Sequence, residues 1–320
     1  MMSRLSQMLA AIALAAGMSA AQASPYTITL MDLAGGTDSA GWDINNSGVF
    51  VGSATVAGQG VGYLVSGGVT TTLSGPAGAF GAGALGISDT GVVVGNYYTA
   101  VDGSSNSGFI LVGGSYTTVT LAGATDTFVR GISPNGRYLA GYAQMSDGTF
   151  SSFVYDRNTS SFTTIVNSTA LTIAQGVTNA GLVVGNRRVI PAGGPFPAGR
   201  FSFTYDIGTG TLTDFSIPGG DIRYRGINES GLIDGFFIDV AGGATHGFVG
   251  SAASFDVFDV AGASSTVLEG INNAGWLAGQ YTDANGAVHA FLAQPVSEPA
   301  TLALVVVALG GLALKRRRHG

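Results

Sequence analysis

Gly270-Ile-Asn-Asn-Ala-Gly-Trp-Leu-Ala-Gly279 is the clearest copy of a ten-residue unit that recurs along this 320-residue chain. Five copies keep this length, and a sixth, which begins at Gly131, has one extra residue before its last Gly. The first copy has Asp43 where the others have their first Gly. A period near 45 residues indicates a repeat architecture. The apolar second positions are Ile44, Ile87, Ile132, Val177, Ile227 and Ile271, at spacings of 43, 45, 45, 50 and 44 residues.

The unit has the chemistry of a β-hairpin. A strand ends at the Ile, the polar residues that follow cap a turn, and the turn Gly takes a positive φ. A second strand, rich in Val and Leu, leaves through the last Gly of the unit. A residue without a side chain at that point permits a close backbone approach or a bulge.

A second apolar signal comes about 20 residues after each Ile, and a further alternating strand follows it in most copies. Each period is therefore predicted to hold about four short strands. The aromatic residues of this second signal are Tyr63, Phe109, Phe153, Phe203, Phe248 and Phe291.

Four strands in about 45 residues are typical of one β-propeller blade. The sequence predicts an all-β propeller over residues 24–293, with about six four-stranded blades. The last copy stops at Ala293 without an outgoing strand, whereas an unassigned strand, Leu30–Gly35, precedes the first copy and matches Val257–Gly262. We expect this N-terminal strand to complete the last blade and to remove a sheet edge. A linear β-solenoid is the alternative, but it needs no such complement.

Charge is scarce and unevenly placed. The only Lys is Lys315, and residues 24–297 contain eight Arg and 18 acidic residues, a formal charge of −10. An acidic surface without Lys repels nucleic acid and anionic lipid, so neither is an expected partner. The absence of Cys excludes disulfides and thiolate metal sites, and no cofactor is predicted.

The N-terminus has the pattern of a signal peptide, residues 1–23. Arg4 precedes a short apolar run, and Ala21-Gln22-Ala23 supplies the small residues that signal peptidase requires. We expect cleavage after Ala23 and export of the mature chain. The alternative, an N-terminal core helix, lacks an amphipathic period.

The C-terminal segment, residues 294–320, contains an apolar run from Ala300 to Leu314. As a hydrophobic helix it would reach roughly 22 Å, short of the roughly 30 Å hydrocarbon core, unless the basic side chains snorkel and the bilayer thins. A basic cluster follows and is expected to hold the chain end on the cytoplasmic side. Its members are Lys315, Arg316, Arg317 and Arg318.

Ser297-Glu298-Pro299-Ala-Thr-Leu302, the apolar run and the Arg cluster together resemble the PEP-CTERM sorting signal of Gram-negative bacteria. Ser297 departs from the usual Pro at that position. The resemblance implies processing by an exosortase, a membrane transpeptidase with a Cys nucleophile, in cells that make extracellular polysaccharide. It implies a transient stay in the inner membrane, followed by release to the cell surface or matrix. A permanent inner-membrane anchor is the alternative.

The repeat itself resembles the HAF repeat of bacterial extracellular proteins, through His289-Ala290-Phe291 and, in varied form, His246-Gly247-Phe248. The other four copies lack the His. No activity accompanies that family, so the resemblance informs fold and location.

The search for catalytic chemistry is largely negative. The two repeat His residues have no usual metal-ligand spacing, and Asp283-Ala-Asn285-Gly286 fits a hairpin turn better than a calcium loop. The fourth copy carries an irregular, Pro-rich loop over residues 186–200, and Arg223 and Arg225 open the next unit. Inserted loops often form binding faces, with a solvated loop as the plainer alternative. The candidate binding residues are Arg187, Arg188, Phe196 and Arg200.

The sequence therefore predicts a non-enzymatic, exported structural or binding protein, with signal peptidase, exosortase and extracellular polysaccharide as expected partners. The alternative is a secreted propeller enzyme that acts on glycans through carboxylates in the central channel. Buried or channel-facing acids about 5 to 10 Å apart, as in glycosidases, would favour that alternative. A channel lined by Val, Ala and Gly would exclude it.

Overall fold

A computed structural model describes residues 26–168, 170–189, 199–216, 220–239, 243–251 and 254–296. The chain consists of two compact units, one over Ile28–Gln294 and the other made of Met1–Thr27 and Pro295–Gly320. The second unit lies almost wholly outside the described residues, together with the predicted signal peptide, sorting motif, basic cluster and C-terminal helix. In the described part every regular element is a strand, and no helix there is long and apolar enough to cross a membrane.

The first 17 strands form a short N-terminal strand and four antiparallel four-stranded sheets. The N-terminal strand is β1 (Tyr26–Leu30). The sheets consist of β2 (Thr37–Ile44), β3 (Phe50–Val56), β4 (Gln59–Ser66) and β5 (Val69–Leu73); β6 (Gly81–Ile87), β7 (Val93–Tyr98), β8 (Asn106–Val112) and β9 (Ser115–Val119); β10 (Ala124–Ile132), β11 (Tyr138–Met145), β12 (Phe150–Asp156) and β13 (Ser161–Ser168); and β14 (Thr172–Val177), β15 (Leu182–Val189), β16 (Gly199–Asp206) and β17 (Thr211–Phe215).

The remaining seven strands join β1 in a single eight-stranded sheet. In this sheet β18 to β21 pair consecutively, and β22, β23, β24 and β1 form the other half. One parallel pair, Thr245 with Ser265, connects β20 to β22. The strands are β18 (Gly220–Ile227), β19 (Ile233–Asp239), β20 (Thr245–Gly250), β21 (Phe255–Phe258), β22 (Ser265–Ile271), β23 (Leu277–Thr282) and β24 (Val288–Pro295).

The arrangement is an all-β propeller, as the repeat predicted, but the prediction of about six separate blades is wrong. Four blades are separate sheets, whereas the parallel contact at Thr245 and Ser265 joins the last seven strands and β1 into one sheet. The expected pairing of the N-terminal strand is present: β1 lies beside β24, and the Met31 N–H donates to the Ala290 carbonyl at 2.9 Å.

The core lies between successive sheets. The largest buried side chains include the six aromatic residues of the second apolar signal, each less than 2% exposed. Each pairs across the strands with the last Gly of its own repeat unit, as Phe109 does with Gly95 and Phe203 with Gly185. A Cβ on Gly95 would lie 1.9 Å from the Gly83 carbonyl oxygen and 3.0 Å from the Phe109 ring. The Gly is required because the aromatic ring lies over it and a bulged carbonyl points at it.

Candidate functional site

The turn that follows each Ile carries the contacts that join one repeat unit to the next. The side chain of Asn272 accepts the Ala274 and Trp276 N–H groups and so caps its own turn. Its amide also donates to the carbonyl of Asn45 at 3.0 Å, 227 residues away. Asn45 and Asn228 make the equivalent bonds to the carbonyls of Ser88 and Asn272.

A second set of hydrogen bonds joins neighbouring repeat units through the next residues of these turns. Each bond runs from a backbone N–H of one repeat unit to an acceptor of the following unit, and the last runs from Asn273 to Asn46 at 2.8 Å. Ring closure thus uses the same contact as the other junctions. The remaining links run from Asn46 to Asp89, from Asp89 to the Pro134 carbonyl, from Asn135 to Asn179, from Asn179 to Glu229 and from Glu229 to Asn273.

The first strand of each repeat unit is the inner strand, and the ends of these strands line a cavity of about 50 Å³ in the central channel. The inner strands are β2, β6, β10, β14, β18 and β22. On β18 the residues at 221, 223 and 225 are half-buried, while Ile222 and Tyr224 are buried, because alternate side chains of a strand point to opposite faces. The channel-facing residue before the first Gly of the unit (Asp43 in the first copy) varies between units, with five residue types in six copies. These residues are Trp42, Leu85, Arg130, Gln175, Arg225 and Glu269, and all except Gln175 line the cavity.

Arg130 contacts the Trp42 ring and the side-chain amide of Gln175. Its guanidinium lies over the Trp42 ring at 4.7 Å, and its Nε donates to Gln175 Oε1 at 3.1 Å. Arg225 lies beside Glu269, with 3.3 Å between Nε and Oε2, and over the Phe236 ring at 5.1 Å. Burial raises the pKa of Glu269, against the opposing effect of the nearby Arg side chains, and burial lowers the pKa of Arg225.

Asp43 replaces the Gly of the other repeat units and lies against Gly270, where a Cβ would come 2.8 Å from the Asp43 carboxylate. The carboxylate accepts the N–H groups of Ile44 and Ile87 at 2.8 and 2.9 Å. Burial nevertheless raises the pKa of Asp43 to about 7. Because an unfolded Asp titrates near 3.8, this group makes stability fall as pH rises from about 4 to about 7.

Asp234 is a third buried acid near the channel. It accepts the Gly226 N–H at 2.6 Å, whereas its Oδ2 has no hydrogen-bond partner among the described residues. Burial raises the pKa of Asp234 well above its usual value, and the charges of Glu269 and Asp43 add to this effect.

The sequence did not point to this cluster, although a signal existed. In an otherwise regular repeat, the position before the Gly changes from Trp to Leu, Arg, Gln, Arg and Glu, and the Gly itself becomes Asp43. Only the alternation of the inner strands shows that these variable residues converge on one axis. The channel is not the Val, Ala and Gly lining that would exclude chemistry there.

The predicted binding loop is only partly described. Arg187 lies on β15, where its Nε donates to Asp214 Oδ1 at 2.9 Å and its guanidinium pairs with the same carboxylate. Phe196 and the side chains of Arg188 and Arg200 lie outside the described residues, so a convergent loop site stays a prediction. Arg187 itself is engaged in an ion pair on the sheet surface.

The two repeat His residues occupy equivalent places on the propeller. His289 Nδ1 lies 2.7 Å from Asp32, and His246 Nδ1 lies 2.8 Å from Asp259. The Asp residues come from the two strand sequences that matched in the primary structure. The His289–Asp32 pair therefore fastens β1 to β24. Within the described ranges, no group of His, Asp or Glu side chains could hold a metal ion.

This pair gives a pH-dependent contribution to ring closure. Asp32, helped by Asp283, raises the pKa of His289 above 6.5. A raised His pKa stabilises the fold fully below about 6.5, and the stabilisation is lost as pH rises through the folded-state value. We expect H289Q to flatten the pH dependence of the unfolding free energy above pH 6. Urea denaturation at pH 5.5 to 8.5 measures this, and an unchanged pH slope would contradict the assignment.

No family model and no curated protein sequence matches this chain. Among solved structures, it is similar to a puromycin hydrolase S511A mutant complexed with PGG, at 14% identity and a TM-score of 0.49, over 82% of this chain and 45% of that one. The chain thus spans less than half of that protein. It is also similar to an oligogalacturonate lyase from Vibrio parahaemolyticus, at 9% identity and a TM-score of 0.49, over 84% and 82% of the two chains.

The β-propeller domain of the Trilobed protease from Pyrococcus furiosus is likewise similar, at 9% identity and a TM-score of 0.49, over 81% of this chain and 86% of that one. These are distant neighbours of the propeller fold. At such identities they give no evidence for or against an enzymatic activity.

Proposed function

We propose that this chain is an exported, non-enzymatic binding protein of the cell surface or extracellular matrix, with its ligand site in the central channel. The observation that supports this most is the presence of charged side chains at the ends of otherwise apolar, repetitive strands around the cavity. A purely structural propeller has no need for Arg130, Arg225 and Glu269 on its axis, since buried charges cost stability.

We propose further that the C-terminal segment is a sorting signal removed by an exosortase in the inner membrane. Every described strand ends by Pro295, so no described sheet needs the residues after it. This independence is what a removable tail requires. The export signal would be the N-terminal pattern at Ala21 and Ala23, and the sorting signal would be the motif at Ser297, Glu298 and Pro299.

Mass spectrometry of the mature protein from its own cells tests the sorting proposal. We expect a chain that begins near Ser24 and lacks the basic cluster Lys315 to Arg318. Chains that end mostly at Gly320 in cells with active processing enzymes would show a permanent anchor instead. Co-sedimentation of the protein with the polysaccharide of the same cells tests the binding proposal separately.

A glycan-active enzyme is the second candidate, and one observation favours it: Asp43, with its pKa near 7, lines the same cavity as Glu269. Such values suit a general acid. Against this, both Asp43 oxygens accept backbone N–H groups, and the cavity is far below the roughly 300 Å³ of ordinary small-molecule sites. Polysaccharide cleavage by the purified protein that D43N abolishes would replace the non-enzymatic proposal.

A further inference from the structure

Arg side chains are gathered on the channel side of an acidic protein, where Asp43, Asp89 and Glu269 also line the cavity. Residues 24–297 contain eight Arg and no Lys, and three of the eight, Arg130, Arg223 and Arg225, lie on the channel side of their strands. All three are close enough to Glu269 to oppose the rise in its pKa. The channel side therefore holds three of the eight Arg residues of a span whose formal charge is −10.

Of these three Arg side chains, Arg130 is the one that has no ion-pair partner among the described residues. Arg223 pairs with Asp221 at 2.8 Å, and Arg225 lies beside Glu269. No carboxylate of the described residues lies within ion-pair distance of Arg130, which is positioned by the neutral Trp42 and Gln175. Burial raises the pKa of Asp43 and of Asp234 and so favours the neutral forms of these two carboxyls.

Two buried hydrogen-bond donors near Arg130 have no acceptor among the described residues: Gln175 Nε2 and Arg225 Nε. Gln175 is 5% exposed, and its Nε2 has no partner among the described residues. The bond from Arg130 to Gln175 Oε1 fixes the orientation of that amide. The Nε of Arg225 is likewise buried without a well-aligned hydrogen bond. Buried donors are normally satisfied by protein, water or ligand. Arg225 lines the cavity, so an incoming group with acceptor oxygens would satisfy its Nε there.

We propose that the channel cavity is a subsite for a carboxylate group, held by Arg130 in the plane set by Trp42 and Gln175. The inference rests on the proposed binding function and specifies its ligand class: an acidic sugar or small organic acid that inserts its carboxylate end first. A guanidinium fork matches a planar carboxylate in a bidentate manner. A volume of about 50 Å³ accommodates such a group with a water molecule or two, and leaves the rest of the ligand at the mouth.

Calorimetry on the full-length protein tests this with three probes: D-glucuronate, D-glucose and inorganic phosphate. We expect glucuronate to bind and glucose to give no signal. R130Q is expected to weaken glucuronate binding about 10-fold or more, because a charge-assisted hydrogen bond is lost. R130K keeps the positive charge but not the planar guanidinium, so we expect its affinity for glucuronate to lie between those of wild type and R130Q. R137Q is the matched control, since Arg137 is an exposed Arg paired with Asp156 away from the channel.

Equal glucuronate affinity in R130Q and wild type, or equal signals from glucose and glucuronate, would overturn the proposal. Tighter binding of phosphate than of glucuronate would overturn the planar-carboxylate assignment. R130K separates loss of binding from loss of folding if R130Q is unstable. If the cells' polysaccharide co-sediments with wild type and R130Q alike, the subsite fails while the binding function stands. If glucuronate binds and the polysaccharide does not, the binding partner is wrong and the subsite stands.

Discussion

G95A is expected to destabilise the propeller by about 3 kcal/mol or more, near the top of the range for overpacked cores, or to prevent folding. A methyl group at this position would lie 1.9 Å from the Gly83 carbonyl oxygen and 3.0 Å from the Phe109 ring. Neither neighbour can retreat, because the carbonyl belongs to the bulged inner strand and Phe109 is fully buried. Urea denaturation measures the loss directly.

G83A is the matched control on the adjacent strand of the same blade. Its added methyl group would meet its nearest neighbours, Leu85 and Ser53, at 3.7 and 3.8 Å, which is ordinary contact. We expect its unfolding free energy to stay within about 0.5 kcal/mol of wild type. If the two variants are equally unstable, the close approach at Gly95 does not explain the repeat Gly.

The local rules of the repeat could be predicted from the sequence because hairpin chemistry is local. The turn residues after each Ile, the Gly at the close approach and the aromatic residue of the next strand recur at fixed offsets. Even ring closure was predictable, since the match between Leu30–Gly35 and Val257–Gly262 implied equivalent places. The structure gives that match a physical cause, because Asp32 and Asp259 hold His289 and His246 in the same way.

What could not be predicted depends on partners far apart in the chain. The Asn side chains after the Ile were expected to cap turns, and they do. Their amides also bond to units 43 to 227 residues away, which a local pattern does not show. The channel cluster was missed for a related reason. Trp42, Arg130 and Glu269 break the repeat pattern, and only the ring geometry brings them together. The merging of the last two sheets rests on a single pair of residues that no sequence signal marks.

The second large loss of stability is expected at the seam of the ring, the junction where Asn272 and Asn273 of the last repeat unit bond to Asn45 and Asn46 of the first. N272A removes the amide bond to the Asn45 carbonyl and the two bonds that cap the turn at Ala274 and Trp276. Because Asn272 is 5% exposed, the abandoned groups are poorly hydrated, and the expected loss is about 2 to 4 kcal/mol. N285A is the matched control, since its side chain bonds only to Asp283 in an exposed turn, and we expect a loss below about 0.5 kcal/mol.

N228A decides whether the seam is a weak point. Asn228 makes the same backbone interactions as Asn272 and also accepts the Ser230 hydroxyl, but its junction lies inside the eight-stranded sheet, where the Thr245–Ser265 pair adds a second link. If closure is as firm as the continuous junctions, N272A and N228A should lower the unfolding free energy equally, with unchanged urea dependence. A larger loss in N272A, with a shallower urea dependence, would indicate partial opening at the seam. In that case the N-terminal strand, its His289–Asp32 pair and the channel cavity would depend on a junction that opens before the rest of the propeller unfolds.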